Sequence, residues 1–451
     1  MSAEETAAPA APTRALSLRE NLQILFTASR GYWLVNVVNF GDGIAYFGIL
    51  NLLTLFLTRD AHFSDPAAGF AVSFFTGVVT LTMFGGGFVS DRLGVRRALT
   101  LSLVGMLFGR VLMVLSPGLG ANTAVALWAG LLVLGVAEGV VQPALYAGVK
   151  EYTDARTSTL SYSFLYAIMN LGIFAESMVS PFLRTRDPQT GVGLGWGIEG
   201  VFWVMVAVTA LMLLLHVTLF TRRVEERDRG AEHAHTQAAD TRTLAEKLRA
   251  LPFLDARFLF FIFILLPVRT LFAHQWLTLP DYIMRCFPEG VNSRYEWFQA
   301  LNPLIIVIGV PLIGAATRRV NIITMMILGT ALSAVTTFIL VPGPHVGTLI
   351  AYVVLFSLGE AMWASRFLEY VADLAPSGQV GAYMGLANIP WFLAKFTTGM
   401  YSGAMIARYI PATGPQDPNT MWFIYGCIAL ISPVGLLLGK RWVQRGVKHG
   451  D

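Results

Sequence analysis

The feature that most constrains this chain is the recurrence of long apolar blocks from one end to the other. Twelve can be read between polar or Gly/Pro punctuation: 31–57, 67–90, 98–116, 123–149, 159–182 and 198–220, then 256–283, 296–317, 321–341, 346–370, 379–407 and 419–440. A helix crosses a hydrocarbon core of about 30 Å with roughly 20 apolar residues, a length these blocks meet. None has the short in–out alternation of a barrel strand. Only 13% of the residues are charged, where a soluble domain carries about 25%. The expected fold class is therefore an all-α membrane protein with twelve transmembrane helices.

The longest polar stretch, "TRRVEERDRGAEHAHTQAADTRTLAEKLRALPFL", divides the blocks into two sets of six. The expected organisation is a tail with a short amphipathic segment over 1–30, a six-helix bundle over 31–220 and a linker over 221–255. A second bundle over 256–440 and a tail over 441–451 follow. The opening "MSAEETAAPAAPTRALSLRE" has no apolar h-region, so no cleavable signal peptide is expected. Of the 32 Lys and Arg residues, 22 fall on the side that holds both termini. That bias predicts cytoplasmic termini and a multi-pass protein of the plasma or inner membrane.

The formal charge of +4 is thus an orientation signal, spread over helix ends, and nucleic acid is not an expected partner. Two cysteines, Cys286 and Cys427, make no disulfide framework. No G-x-x-x-x-G-K-[ST] loop is present for nucleotide-driven work. No nucleophile–base constellation, cofactor or metal cluster is apparent, so the chain does not read as an enzyme. The expected partners are the lipid bilayer, a small-molecule substrate and protons, with a monomer as the assembly.

Charges inside the apolar blocks are the informative residues, because each costs about 2.5–3.5 kcal/mol on the insertion scale and normally faces a cavity or a partner. Those away from the block ends are Asp42, Arg110, Glu138, Glu176, Arg269, Glu360, Arg366 and Lys395. At 1.5 Å per residue, Asp42, Arg110, Glu138, Arg269, Glu360 and Lys395 fall in the middle half of the bilayer. Glu176 lies nearer the outside and Arg366 nearer the cytoplasm. Three acids and three bases at one depth predict a polar central cavity crossed by ion pairs. Helical spacing adds companions on the same faces: Asn39, Asp42 and Tyr46; Glu138, Gln142 and Tyr146; Tyr162, Tyr166 and Asn170; Asn388, Trp391 and Lys395. Each single Tyr or Asn also fits a role as interhelical glue. His274 is the histidine placed well inside a span of the second half; it either titrates near neutral pH or sits neutral, bonded to a neighbouring helix.

The loop "GGGFVSDRLGVRRALT" between spans 2 and 3 resembles the G-x-x-x-D-R-x-G-x-R-R loop of the major facilitator superfamily, through Gly87, Asp91, Arg92, Gly94, Arg96 and Arg97. "GAATRRVNIIT" at the equivalent place in the second half looks like its decayed copy. The resemblance implies two related halves with a substrate site at their interface, and a cytoplasmic latch at Asp91 and its arginines that holds the halves together in one state. A narrower resemblance is to the proton-dependent oligopeptide transporters. Tyr166, Asn170 and Gly172 match that family's F-Y-x-x-I-N-x-G span 5. Gly359, Glu360 and, one residue further along than the motif's spacing, Ser365 resemble its G-E-x-x-x-S-P span 10. Tyr46, Phe47 and Gly48 match the end of its E-x-x-E-R-F-x-Y-Y-G span 1, and Gln275 matches more weakly in span 7.

The departures are as informative. The first span 1 acid is Asn39, the second is Asp42 and the arginine is Gly43; the span 4 lysine is Gln142 and the span 10 proline is Arg366. In that family the span 1 acids couple protons, the span 1 arginine and span 4 lysine meet the peptide carboxylate, and the span 10 glutamate meets the peptide amine or a span 7 partner. The resemblance implies secondary transport of a small polar, peptide-like or amino-acid-like solute by alternating access, coupled to protons. It implies substrate contacts at Asn39, Tyr46, Arg110, Gln142, Tyr166, Asn170, Gln275, Asn388, Trp391 and Lys395. Proton coupling is expected at Asp42, Glu138, Arg269, His274, Glu360 and Arg366, with a Glu360–Arg269 pair that forms in one state. An uncoupled facilitator, an exporter of an amphipathic compound, and a receptor or scaffold on the same fold remain alternatives.

Overall fold

The computed structural model describes residues 27–153, 158–229, 255–317, 320–374, 387 and 389–444. The described chain is helical. In order come α1 (Arg30–Arg59), α2 (Asp65–Leu93), α3 (Val95–Leu115), α4 (Thr123–Tyr152), α5 (Ser158–Arg184), α6 (Gly197–Leu219) and the polar α7 (Arg222–Asp228). Then come α8 (Ala256–Ile264), α9 (Leu266–Leu277), α10 (Leu279–Cys286), α11 (Glu289–Asn292), α12 (Tyr295–Ala316), α13 (Ile322–Thr336), α14 (Val346–Leu374), α15 (Ile389–Tyr409) and α16 (Pro418–Gln444).

Local chemistry marks the ends. Ser29 caps α1 by accepting from the Tyr32 N–H, Ser64 caps α2, Asp255 caps α8 and Asn321 caps α13, each satisfying an N–H that a helix start leaves without an intrahelical partner. Gly94, at φ +77°, separates α2 from α3 in a left-handed conformation that a side chain would strain. Block 256–283 is expected as one span, but the structure divides it into α8, α9 and α10, with Pro267 and Pro280 in the first turns of the second and third pieces. A proline lacks the N–H that a continuous helix needs and fits where a new helix starts.

Among the described residues, nine helical stretches are long and apolar enough to cross a membrane. One of them, Val95–Tyr152, holds both α3 and α4, separated by a 3₁₀ segment in which Gly120 has φ +57°. Of the remaining blocks, α12 is apolar over the shorter Tyr295–Val310, and α15 carries Lys395, Thr397, Thr398, Ser402 and Arg408. Large apolar side chains such as Leu438, Val125 and Leu312 are exposed to the surroundings, as suits lipid-facing positions. The chain is an all-α, multi-spanning membrane protein.

Helices α1–α6 pack among themselves, as do α8–α16, and the two groups meet through α2 with α15, α5 with α12, and α1 with α9 and α10. Small residues let backbones touch at these crossings. A Cβ on Gly69 would stand 2.7 Å from the Gly399 carbonyl oxygen, and the Ser73 hydroxyl donates to the Phe396 carbonyl at 2.8 Å. Lipid is as apolar as a leucine side chain, so close packing and hydrogen bonds supply the association that the hydrophobic effect supplies in water.

Candidate functional site

Arg110, from α3, is the centre of the first half. It is fully buried, and its guanidinium donates to Glu138 of α4 at 2.6 Å and to the Thr209 hydroxyl of α6. Asp42 of α1 stands 3.7 Å from it and accepts from the Gln142 amide at 3.3 Å. Four helices therefore converge on one cation and two carboxylates. With both acids ionised the cluster carries one uncompensated negative charge, which water cannot screen at this depth.

The second half holds its charges differently. Arg269 of α9 is buried, and its guanidinium lies 4.3 Å from the Phe367 ring centroid, 5.5 Å from that of Trp391 and 5.7 Å from that of Trp363. Lys395 of α15 stands 5.3 Å from Trp391 and 5.6 Å from Trp276. Among the described residues neither has a carboxylate within 4.0 Å. Glu360 of α14 instead accepts from the Asn302 amide at 2.8 Å. The expected Glu360–Arg269 pair is thus not formed in this structure, and the expected cancellation of three acids by three bases is confined to Arg110. Depth alone does not distinguish charges on opposite halves, or charges turned to different neighbours on one half.

The remaining expected residues divide by role. Asn39 donates to the Leu165 carbonyl at 2.7 Å, and Asn170 to the Tyr166 carbonyl at 2.9 Å, so both amides are committed to backbone. Tyr46 packs on Phe47 and Phe75. Gln275 donates to the Tyr352 hydroxyl at 2.8 Å. His274 meets the Thr278 and Tyr401 hydroxyls at 2.7 and 2.9 Å and stacks on Tyr425, an arrangement that suits a neutral ring. Arg366 donates to the Thr317 carbonyl at 2.7 Å, at the C-terminus of α12. Gln142, Glu360, Trp391 and Lys395 all keep partial exposure. Asn388 lies outside the described residues.

Gly43 has a steric explanation. A Cβ there would stand 2.5 Å from the Met169 carbonyl oxygen, and one on Gly172 would run into the Phe40 carbonyl. Helices α1 and α5 cross backbone to backbone at the position where the resembling family has its arginine.

Sequence reasoning missed the clasps that join the halves at the end where α1 turns into α2. Arg184 of α5 forms a bidentate pair with Glu296 of α12 at 2.7 and 2.9 Å, both buried. Arg285 of α10 does the same with Asp65 of α2 at 2.6 and 2.8 Å, while holding Asp281 at 2.9 Å. The Tyr295 hydroxyl donates to the Asn51 carbonyl at 3.0 Å, and Asn51 donates to the buried Glu176. Arg184 and Arg285 read as loop charges in the sequence; the only available signal was an acid opening each facing block.

At the opposite end the Gly87–Arg97 loop serves the first half. Arg96 pairs with Glu225 of α7 at 2.9 Å. Asp228 of α7 accepts from the Gly31 N–H at 2.8 Å, and Arg229 reaches Glu151 at 3.1 Å. Partial burial pushes Asp228 up, but the hydrogen bonds of Arg227 and the Gly31 N–H together hold it below the usual carboxylate range. A polar cavity of about 310 Å³ opens here beside Arg92, Arg96, Arg97 and Glu225. Of Gly87 and Asp91 only the backbone is described. In the described contacts Arg96 ties α3 to the start of the linker.

Comparison with known proteins agrees with this architecture. The chain is 20% identical to the dipeptide and tripeptide permease A of Escherichia coli (strain K12), over 93% of this chain and 91% of that one. It is 22% identical to the uncharacterized MFS-type transporter YqjV of Bacillus subtilis (strain 168), over 75% and 79%. The fold superposes on the crystal structure of a peptide transporter POT in complex with sulfate, with a TM-score of 0.72, 17% identity and coverage of 95% and 99%. It also superposes on a POT family transporter in complex with 5-aminolevulinic acid, with a TM-score of 0.69, 15% identity and coverage of 92% and 97%. The family model described as Major Facilitator Superfamily matches residues 35–284, more than half of the chain. The chain belongs to the major facilitator superfamily, whose members are membrane transporters and not enzymes, and within it resembles the peptide transporters.

Proposed function

We propose that this protein carries a small polar, peptide-like or amino-acid-like solute by alternating access, driven by protons. Counting α3 and α4 separately, joining α8–α10 into one span and adding α12 and α15 brings the spans to twelve, in bundles over 31–220 and 256–440 with a linker over 221–255. Both termini are assigned to the cytoplasm from the Lys/Arg bias. The clasped end, with Arg184–Glu296 and Arg285–Asp65, is then the outer end.

The observation that carries the reading is the Asp42–Arg110–Glu138 cluster. Two carboxylates against one guanidinium accommodate one added proton without leaving net charge in a low-dielectric site. Proton arrival and release there change how strongly α1, α3 and α4 are drawn together, which is how a proton gradient would act on the gap between the halves. Gln142, Tyr166, Gln275, Trp391 and Lys395 are assigned to the solute. Glu360 is a second proton site, freed from its span 7 partner in this state.

Proteoliposome uptake tests the proposal. With a panel of dipeptides, amino acids and nucleosides, an inward-acid gradient should drive accumulation, and Asp42→Asn and Glu138→Gln should reduce it to equilibration. Accumulation that ignores the gradient identifies an uncoupled facilitator. No flux from folded protein identifies a receptor or scaffold.

A further inference from the structure

The two walls of the interface have opposite charge imbalance. On the first half, Asp42 and Glu138 share the single cation Arg110. On the second, Arg269 and Lys395 both stand within 5.5 Å of the Trp391 ring centroid, and neither has an acid partner among the described residues. Arg110 and Arg366, the other intramembrane cations, are committed to Glu138 and to the Thr317 carbonyl.

The surroundings of Arg269 stabilise its charge without using its hydrogen bonds. Aromatic faces attract a guanidinium through their negative quadrupole, more strongly when desolvated. They leave the N–H groups, which lie in the guanidinium plane, free to point past the ring. Nε and Nη1 of Arg269 are indeed buried with no hydrogen-bond partner among the described residues. Unsatisfied donors on a buried cation are costly. A planar fork of N–H groups matches a carboxylate bidentately, with an energy that neutral donors do not reach. Arg269, Phe272 and Trp276 share one face of α9 at i, i+3, i+7, and the Phe272 ring packs on both Trp391 and Trp363. The result is an aromatic cage with two positive groups, beside Trp276, which itself meets Phe47 of the first half.

We propose that Arg269 and Lys395 form the site for the solute's carboxylate, so that the carboxylate end faces the second half of the protein. This inference rests on the transport reading and deepens it. It also reverses the polarity that the family resemblance implies, where cations of spans 1 and 4 hold the carboxylate. The reversal accounts for two departures together. Gly43 leaves no room for a span 1 cation, and Gln142, whose amide N–H bonds Asp42, is neutral where the family has a lysine. The preferred solute is a small organic acid with an apolar or aromatic body that stacks on Trp391 and Trp276.

The test uses purified full-length protein and its tryptophan fluorescence, since Trp276, Trp363 and Trp391 lie against the two cations. The probes are N-acetyl-alanylalanine and N-acetyl-phenylalanine, which keep the carboxylate, and their C-terminal amides, which lose it. The acids should bind at least tenfold more tightly than the amides. Arg269→Gln and Lys395→Gln should each weaken the acids at least tenfold and leave the amides unchanged; Arg269→Lys should fall between. Lys395 is only half-buried, so its variant holds the test if Arg269→Gln fails to fold. Equal binding of acid and amide, absence of acid binding, or glutamine variants within threefold of the parent overturns the site. Proton-driven uptake of any solute by the parent, with no acid selectivity in binding, removes the site and keeps the transport reading. Acid binding lost in both variants, with no uptake of any solute by the parent, keeps the site and removes transport.

Discussion

Replacing Arg110 by methionine is the sharpest perturbation of the first half. The substitution keeps an unbranched apolar stem and removes the cation that, among the described residues, pairs with Asp42 and Glu138. At an effective dielectric of about 20, unit charges at the observed 2.6 and 3.7 Å attract by about 6 and about 4 kcal/mol. Desolvation of the three ions, several kcal/mol each, offsets most of this. What remains visible is the asymmetry of removing one partner. Arg110→Met strands two carboxylates and should destabilise by about 3–5 kcal/mol. Glu138→Gln leaves a neutral Arg110–Asp42 pair and an amide able to bond the guanidinium, so its cost should stay below about 2 kcal/mol. In the double variant one stranded acid is gone, and the loss should be smaller than the sum by at least about 2 kcal/mol. Equilibrium unfolding in mixed detergent micelles, monitored by far-ultraviolet circular dichroism, measures all three. Additivity within about 0.5 kcal/mol, or an Arg110→Met protein as stable as the parent, would refute the shared-cation account.

Gly43→Arg should not recover the family's carboxylate ligand; it should destabilise by more than the ~1–3 kcal/mol of ordinary overpacking, with Gly43→Ala showing much of the loss, because the first atom added meets the Met169 carbonyl. Thermal stability measures it, and a Gly43→Arg protein as stable as its parent would contradict the crossing described. Arg184→Gln should shift the population towards a state open at the clasped end, and a change of only 1.4 kcal/mol is tenfold in population. Spin labels at Arg186 and Glu289 should then show longer separations by pulsed electron resonance, and an unchanged distribution would remove the clasp from gating. Asp228, held below its usual range, stabilises the docking of α7 at pH values above its unfolded pKa of about 3.9 and loses that contribution as pH falls through its folded value. Hydrogen exchange of α7 should be constant from about pH 5 to 8 once corrected for intrinsic rates, speed up under stronger acid, and lose the acid step in Asp228→Asn.

Much of the architecture was legible because the bilayer imposes it locally. A span announces itself by its length and apolarity, and a mid-depth charge by its cost. Those are properties of a residue and its near neighbours, so the sequence by itself determined the helical membrane class, the two sets of blocks and the short roster of charged residues worth following. Pairing is a different kind of information. Arg110 and Arg269 are both single arginines in apolar helices, yet one meets two acids and the other three aromatic rings, because partners come from helices tens to hundreds of residues away. The same holds for Gly43, which reads as a lost arginine until α5 is seen against it, and for Arg184 and Arg285, which read as loop charges until Glu296 and Asp65 face them. Only the tertiary structure decided which charges are neutralised and which remain free, since that depends on distances of a few ångströms between side chains that the chain order leaves far apart.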